Sequence, residues 1–211
     1  MKYKPTTKNE LYKLIKKGKT MKYKPTTKNE LYKLIKDEKI NLGDIDTSLV
    51  VDMSLLFLSS DREDFSGIEN WDVSNVTDMG HMFSKARKFN ADLSKWNTSN
   101  VTNMMFMFEK ADSFNGDIST WDTSKVTDME YMFAEAIAFN QDITNWNISR
   151  VKYMSYMFAG ATSFNQDISK WDMSHVKSID SMLLRAYSFK HDISKWKLTR
   201  IINNMLLGKN E

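Results

Sequence analysis

The chain has 211 residues, 41% apolar and 27% charged, with a formal net charge of +3. These values argue for a folded, soluble protein with room for one good core, and so mild a charge gives no reason to propose nucleic acid or an anionic membrane as partner. Cysteine is absent, which excludes disulfides, thiolate nucleophiles and cysteine-ligated zinc, and no run approaches the ~18 consecutive apolar residues of a membrane span.

The chain opens on "MKYKPTTKNELYKLIK", which occurs at 1–16 and again at 21–36, identical at all 16 positions. In each copy a threonine and a glutamate three residues on, Thr7 with Glu10 or Thr27 with Glu30, form a capping box. Leu11, Leu14 and Ile15, or Leu31, Leu34 and Ile35, make one apolar helical face. The first copy ends in the charged linker "KGKT", and the second runs directly into "DEKINLGDID". Residues 21–44 are therefore predicted to be an N-terminal capping helix and lead-in. Residues 1–20 are a duplicated extra cap, with three places open to it: beside its twin, on a neighbouring molecule in self-association, or free in solution. No apolar stretch of signal-peptide type follows the first lysines. With no anchor read either, the cytoplasm is the default compartment.

From residue 45 onward a period of 25 governs the sequence. Trp71, Trp96, Trp121, Trp146, Trp171 and Trp196 are all the tryptophans there are, and each gap is 25 residues. Val76, Met79, Met82, Phe83 and Ala86 recur at the same interval. So do a Phe-Asn pair (89–90, 114–115, 139–140, 164–165) and Asp92, Asp117, Asp142, Asp167 and Asp192. A fixed period of this length marks units that bury their apolar faces only against their neighbours. Residues 45–71 form a degenerate first turn, with Ile45 in the tryptophan's place and a small insertion at "SSDRED". The segment from Trp196 starts another turn and ends as an atypical C-terminal cap.

Within a unit, Ser74 followed by apolar residues at steps of three and four predicts a capped helix over 74–86. "FNADLSKW" predicts a short strand. The fold expected is thus α/β: a leucine-rich-repeat-like solenoid of about seven 25-residue turns, each a short parallel strand plus a short helix, over residues 45–211, behind N-terminal capping helices.

The columns differ in what they offer chemically. Stacked indoles read as solenoid interior, each removing ~150–250 Å² from water, with an exposed sugar-stacking platform as the other reading. Asp92, Asp117, Asp142, Asp167 and Asp192 repel one another at strand spacing unless something offsets the charge. Hydrogen bonds from their own turns would do so, and so would a row of divalent metals or a paired acid/base set. No unit adds the His, Arg or Glu that would build a pocket, and His81, His175 and His191 fall at different phases. The Asp72, Asn97, Asp122, Asn147, Asp172 column exchanges Asp for Asn, which suits Asx turns. On the predicted helix, His81, Phe106, Tyr131 and Tyr156 point away from the core, a row of exposed aromatics that suits contact with a partner; the other reading is that the chain is not helical there and the rings are partly buried.

The phrase "WDVSNVTDMGHMF" followed by "FNADLS", repeated through residues 45–200, resembles the BspA-type leucine-rich-repeat surface proteins of bacteria. The resemblance implies a leucine-rich-repeat-like arc and adhesion at a cell surface, and it transfers no catalytic residue. The function expected is non-catalytic recognition of a protein or glycan through a rigid repeat surface. No cofactor, metal, nucleic acid or membrane insertion enters this expectation. A carbohydrate-active enzyme using the aspartate column and a self-assembling structural protein are the alternatives.

Overall fold

The computed structural model describes residues 21–196. The first copy of the duplicated segment and the C-terminal cap predicted beyond Trp196 lie outside the described residues.

The second copy forms a helix packed on the core. Helix α1 spans Lys28–Lys36, with Thr27 as N-cap accepting the Glu30 amide. The Glu30 carboxylate reaches back to the Thr26 amide at 2.7 Å rather than to that of Thr27, closing the box one residue further out. Leu31 and Ile35 are buried and Leu34 packs against the core at its edge. A parallel bridge between Tyr23 and Ile45 docks the segment on the first turn, helped by ion pairs from Lys22 to Asp44, Lys24 to Asp46 and Lys28 to Asp52.

Beyond α1 the expected alternation of strand and helix is absent. Among the described residues there is this one α-helix, two three-residue 3-10 turns (Leu42–Asp44 and Ile68–Asn70) and no strand longer than a single bridge. The repeats are instead coils built almost wholly of turns, stacked in register. Parallel bridges link Asp52, Asp78, Asn103, Asp128, Tyr153 and Ser178 in succession, marking six coils.

The segment predicted to be helical explains the difference. Along 79–85 the odd-numbered amides leave the coil: Met79 donates to Asn103, His81 to Met105, Phe83 to Met107 and Lys85 to Glu109. The even-numbered ones stay within it, Met82 donating to Met79, Ser84 to His81 and Ala86 to Phe83. A helix would use every amide internally four residues back, and here half of them bind the next coil. Left-handed backbone at His81 (φ 57°) and Lys85 (φ 62°) reverses the chain at the third position of successive turns, as in type II turns. Val76, Met79, Met82, Phe83 and Ala86 are nevertheless all fully buried. Steps of three and four suit a run of tight turns as well as they suit a helix.

The predicted strand over 89–96 is likewise a pair of turns. Asp92 accepts the Ser94 amide, Trp96 donates back to Leu93, and a single amide, that of Leu93, crosses to Asp117. The interior is aromatic. Within a coil Phe83 lies 3.8 Å from Phe89, centroid to centroid, and Phe108 3.9 Å from Phe114. Across coils Phe83, Phe108, Phe133 and Phe158 stack at 5.5–5.7 Å. Asparagines of the Phe-Asn pairs carry a second ladder, each side-chain carbonyl of Asn90, Asn115, Asn140 and Asn165 accepting the amide 25 residues on.

Candidate recognition face

The tight turns that carry the inter-coil bonds also lift one column of side chains out of the core. Residues 81, 106, 131 and 156 occupy the left-handed third position, with φ between 55° and 58°. Bulky side chains rarely adopt this backbone, and each such position costs of order 1 kcal/mol or more unless its surroundings hold it. Here the neighbouring coils do. The rings of His81 and Phe106 stack at 4.5 Å, Phe106 and Tyr131 at 4.4 Å, and Tyr131 and Tyr156 at 4.7 Å, all within 8° of parallel. Leu55 precedes them in the column and Ser181 follows, also left-handed.

All four rings are half-buried. The helix surface expected from the sequence is absent, and the rings sit half-buried on left-handed turns instead of standing exposed. Each inner ring is covered on both faces by its neighbours, so the column presents ring edges and the two tyrosine hydroxyls.

Carboxylates flank this ridge. Asp78 and Glu109 lie close enough to act on the His81 imidazole, and Glu130, itself near Asp128 and Asp180, acts on the Tyr131 phenol. Lys110 lies within ion-pair reach of both Glu109 and Glu135. Asp78 accepts from the Asn103 amide group at 3.0 Å. Burial pushes the Asp128 carboxyl above the ordinary range. Burial does the same to Glu130, and the charges of Asp128 and Asp180 add to it. Burial also lowers the His81 imidazole and raises the Tyr131 phenol. Tyr153, beside Tyr156, is 42% exposed. Asp78 and Asp128 share one phase of the repeat and Glu130 and Asp180 another two residues on, but neither phase is acidic in every coil, so no acidic column stands out in the sequence.

The other columns fall elsewhere. The tryptophans are buried, and the indoles of Trp71, Trp96, Trp121, Trp146 and Trp196 donate to backbone carbonyls 28 or 29 residues earlier. Trp171 is buried without such a bond. Asp92, Asp117, Asp142, Asp167 and Asp192 each accept the amide two residues on, from Ser94, Ser119, Thr144, Ser169 and Ser194. Hydrogen bonding by Ser94, from side chain and then backbone, holds Asp92 below the ordinary carboxylate range. Asp167 and Asp192 are lowered in the same way. Among the described residues no group of three or more His, Asp or Glu could hold a metal ion. The Asp72 to Asp172 column makes the expected Asx turns.

A family model described as "Mycoplasma protein of unknown function, DUF285" matches residues 26–125 and again 113–208. The chain belongs to the DUF285 family. Each match covers about four of the 25-residue periods, so in this DUF285 chain the unit recognised is a block of coils. No curated protein and no solved structure matches it. No described helix is long and apolar enough to cross a membrane.

One residue of the first coil escaped the sequence pattern altogether. Arg62, in the inserted loop, is 3% exposed and donates to the carbonyls of Ile35, Ile40 and Asp64. It ties the C-terminal end of α1, where helix carbonyls lack internal partners, to the first coil. The signal was an arginine in an insertion, which looks like any surface charge.

Proposed function

We propose that this protein is a non-catalytic recognition module that binds a protein partner along the ridge His81, Phe106, Tyr131 and Tyr156. The observation that carries the reading is the ridge itself, four stacked rings held on left-handed backbone in successive coils. Rings at the centre of such a surface are the usual anchors of protein interfaces. Ring faces already covered by one another leave no platform for sugar stacking, which favours a protein over a glycan. The even hydrogen bonding of the aspartate column favours recognition over glycosidase chemistry, which needs two carboxyls with different environments. The resemblance to BspA-type surface proteins supports adhesion at a cell surface as the setting.

The test compares the native chain with the F106S/Y131S/Y156S variant. Serine suits the site, since Ser181 stands in the same column with φ 51°. Proteins retained by the immobilised native chain and lost from the folded variant are the expected result, followed by affinity measurement with the purified partner. Retention of the same proteins by both would overturn the reading.

A further inference from the structure

In the asparagine ladder, Asn115 is followed by Gly116, the single Asn-Gly pair of the chain. The other asparagines of the ladder precede Ala91, Gln141 and Gln166. The fold requires the glycine. A Cβ at residue 116 would lie 1.8 Å from the carbonyl oxygen of Ala91, a backbone atom that cannot yield without moving the neighbouring coil. Close approach of two coils thus places beside Asn115 the residue that leaves the following amide nitrogen without a side chain to shield it. Asn115 is exposed, and the next coil holds both of its carbonyls. Its side-chain Oδ1 accepts the Asn140 amide at 2.9 Å, and its main-chain oxygen accepts Gln141 Nε2 at 2.8 Å. A backbone N–H fixed on Oδ1 meets the charge that grows there when a nucleophile adds to Cγ. The nucleophile belongs to the adjacent residue, so the addition is intramolecular.

We propose that Asn115 is a self-modification site, at which the folded chain converts asparagine to aspartate and isoaspartate. The Gly116 nitrogen gives its proton to water and adds to Asn115 Cγ. The Cγ–Nδ2 bond then breaks, and the amide takes up a proton and leaves as ammonia. The cyclic imide that remains joins Cγ and the main-chain carbonyl carbon through the Gly116 nitrogen. Water opens this ring at either carbon. Opening at Cγ gives aspartate, and opening at the main-chain carbon gives isoaspartate, whose main chain runs through Cγ with an added methylene. The two products act differently on the ladder. Aspartate keeps an oxygen for the Asn140 amide. Isoaspartate displaces both carbonyls that the next coil holds, beside Phe114, whose ring stacks on Phe108 at 3.9 Å and on Phe139 at 6.0 Å. The isoaspartyl chain is therefore a stack loosened between the coils of Phe114 and Phe139. The inference is independent of the ridge.

The test incubates the full chain in warm, mildly alkaline buffer made with heavy-oxygen water, one sample folded and one in denaturant. Peptide mass spectrometry follows each asparagine, and fragmentation separates aspartate from isoaspartate. In the folded sample Asn115 should convert to both products, each carrying the heavy oxygen, while Asn90, Asn140 and Asn165 stay intact. The aged folded protein should also lose resistance to denaturant. N115D, whose carboxylate is a poorer target for the same attack, should keep its resistance longer. Conversion in denaturant alone would overturn the proposal, since the ladder would then protect Asn115. Equal conversion at Asn90 or Asn140, or aspartate formed without isoaspartate, would overturn it as well. An equal loss of resistance in aged N115D would refute the loosened stack, because the damage would then lie elsewhere.

Discussion

The indole N–H of Trp121 donates to the carbonyl of Leu93, 28 residues earlier, at 3.1 Å. The same ring stacks between Trp96 and Trp146 at 6.3 and 6.2 Å. Each such indole therefore fastens two coils, once by hydrogen bond and once by packing. Trp171 makes the packing contact with Phe158 but has no acceptor for its N–H.

This asymmetry predicts a difference between two identical substitutions. Trp121→Phe should cost about 1 kcal/mol more than Trp171→Phe, because only the former removes a hydrogen bond. Trp121→Ala, which adds a cavity, should cost roughly 3–5 kcal/mol. Chemical denaturation of the three variants measures all of these. Equal costs for the two phenylalanine variants would refute the staple.

Arg62→Met should destabilise by about 3 kcal/mol, since burial leaves the Ile35 and Ile40 carbonyls without their charged donor. Hydrogen exchange should show the loss first in α1, at Lys28–Lys36. Uniform loss across all coils would mean that Arg62 holds the stack rather than the cap.

Asp128 and Glu130 hold their protons more tightly in the fold than in the unfolded chain. Their ionisation therefore opposes folding: the penalty is absent below the ordinary carboxylate range and is complete only above the raised folded values. D128N/E130Q should stabilise the protein at neutral pH by no more than about 1 kcal/mol, given partial exposure. The gain should vanish by about pH 4. Asp92, Asp142, Asp167 and Asp192 act in the opposite sense, their lowered values giving stability that is lost as pH falls through them. Denaturant melts at both pH values separate the two groups.

Leu31→Ala should cost about 2–5 kcal/mol, because Leu31 is fully buried between the cap and the first coil. Leu11→Ala, the same change in the identical first copy, should cost less than about 0.5 kcal/mol, since the cap site is filled by the second copy. Comparable losses from both would show that the first copy holds a structural site of its own.

The sequence alone determined the period, the buried columns and the cap. Burial repeats wherever a unit meets a copy of itself, so Trp121, Met132 and Phe133 had to recur every 25 residues. Thr27, Glu30 and the apolar face of Leu31 and Ile35 mark a helix within nine residues, which burial against the first coil and the Arg62 tie then stabilise. The aspartate and Asx columns were legible as turns for the same local reason. What only the tertiary structure decided is the conformation between those anchors. The amide of His81 goes to Met105 rather than back along a helix, and that acceptor exists only once the next coil is in place. Apolar spacing records which side chains are inside and says nothing about where alternate amides point. The strand and helix expected in each unit were therefore replaced by turns, while the buried residues stayed the same. The aromatic ridge follows from this: left-handed backbone at residues 81, 106, 131 and 156 aligns the four rings.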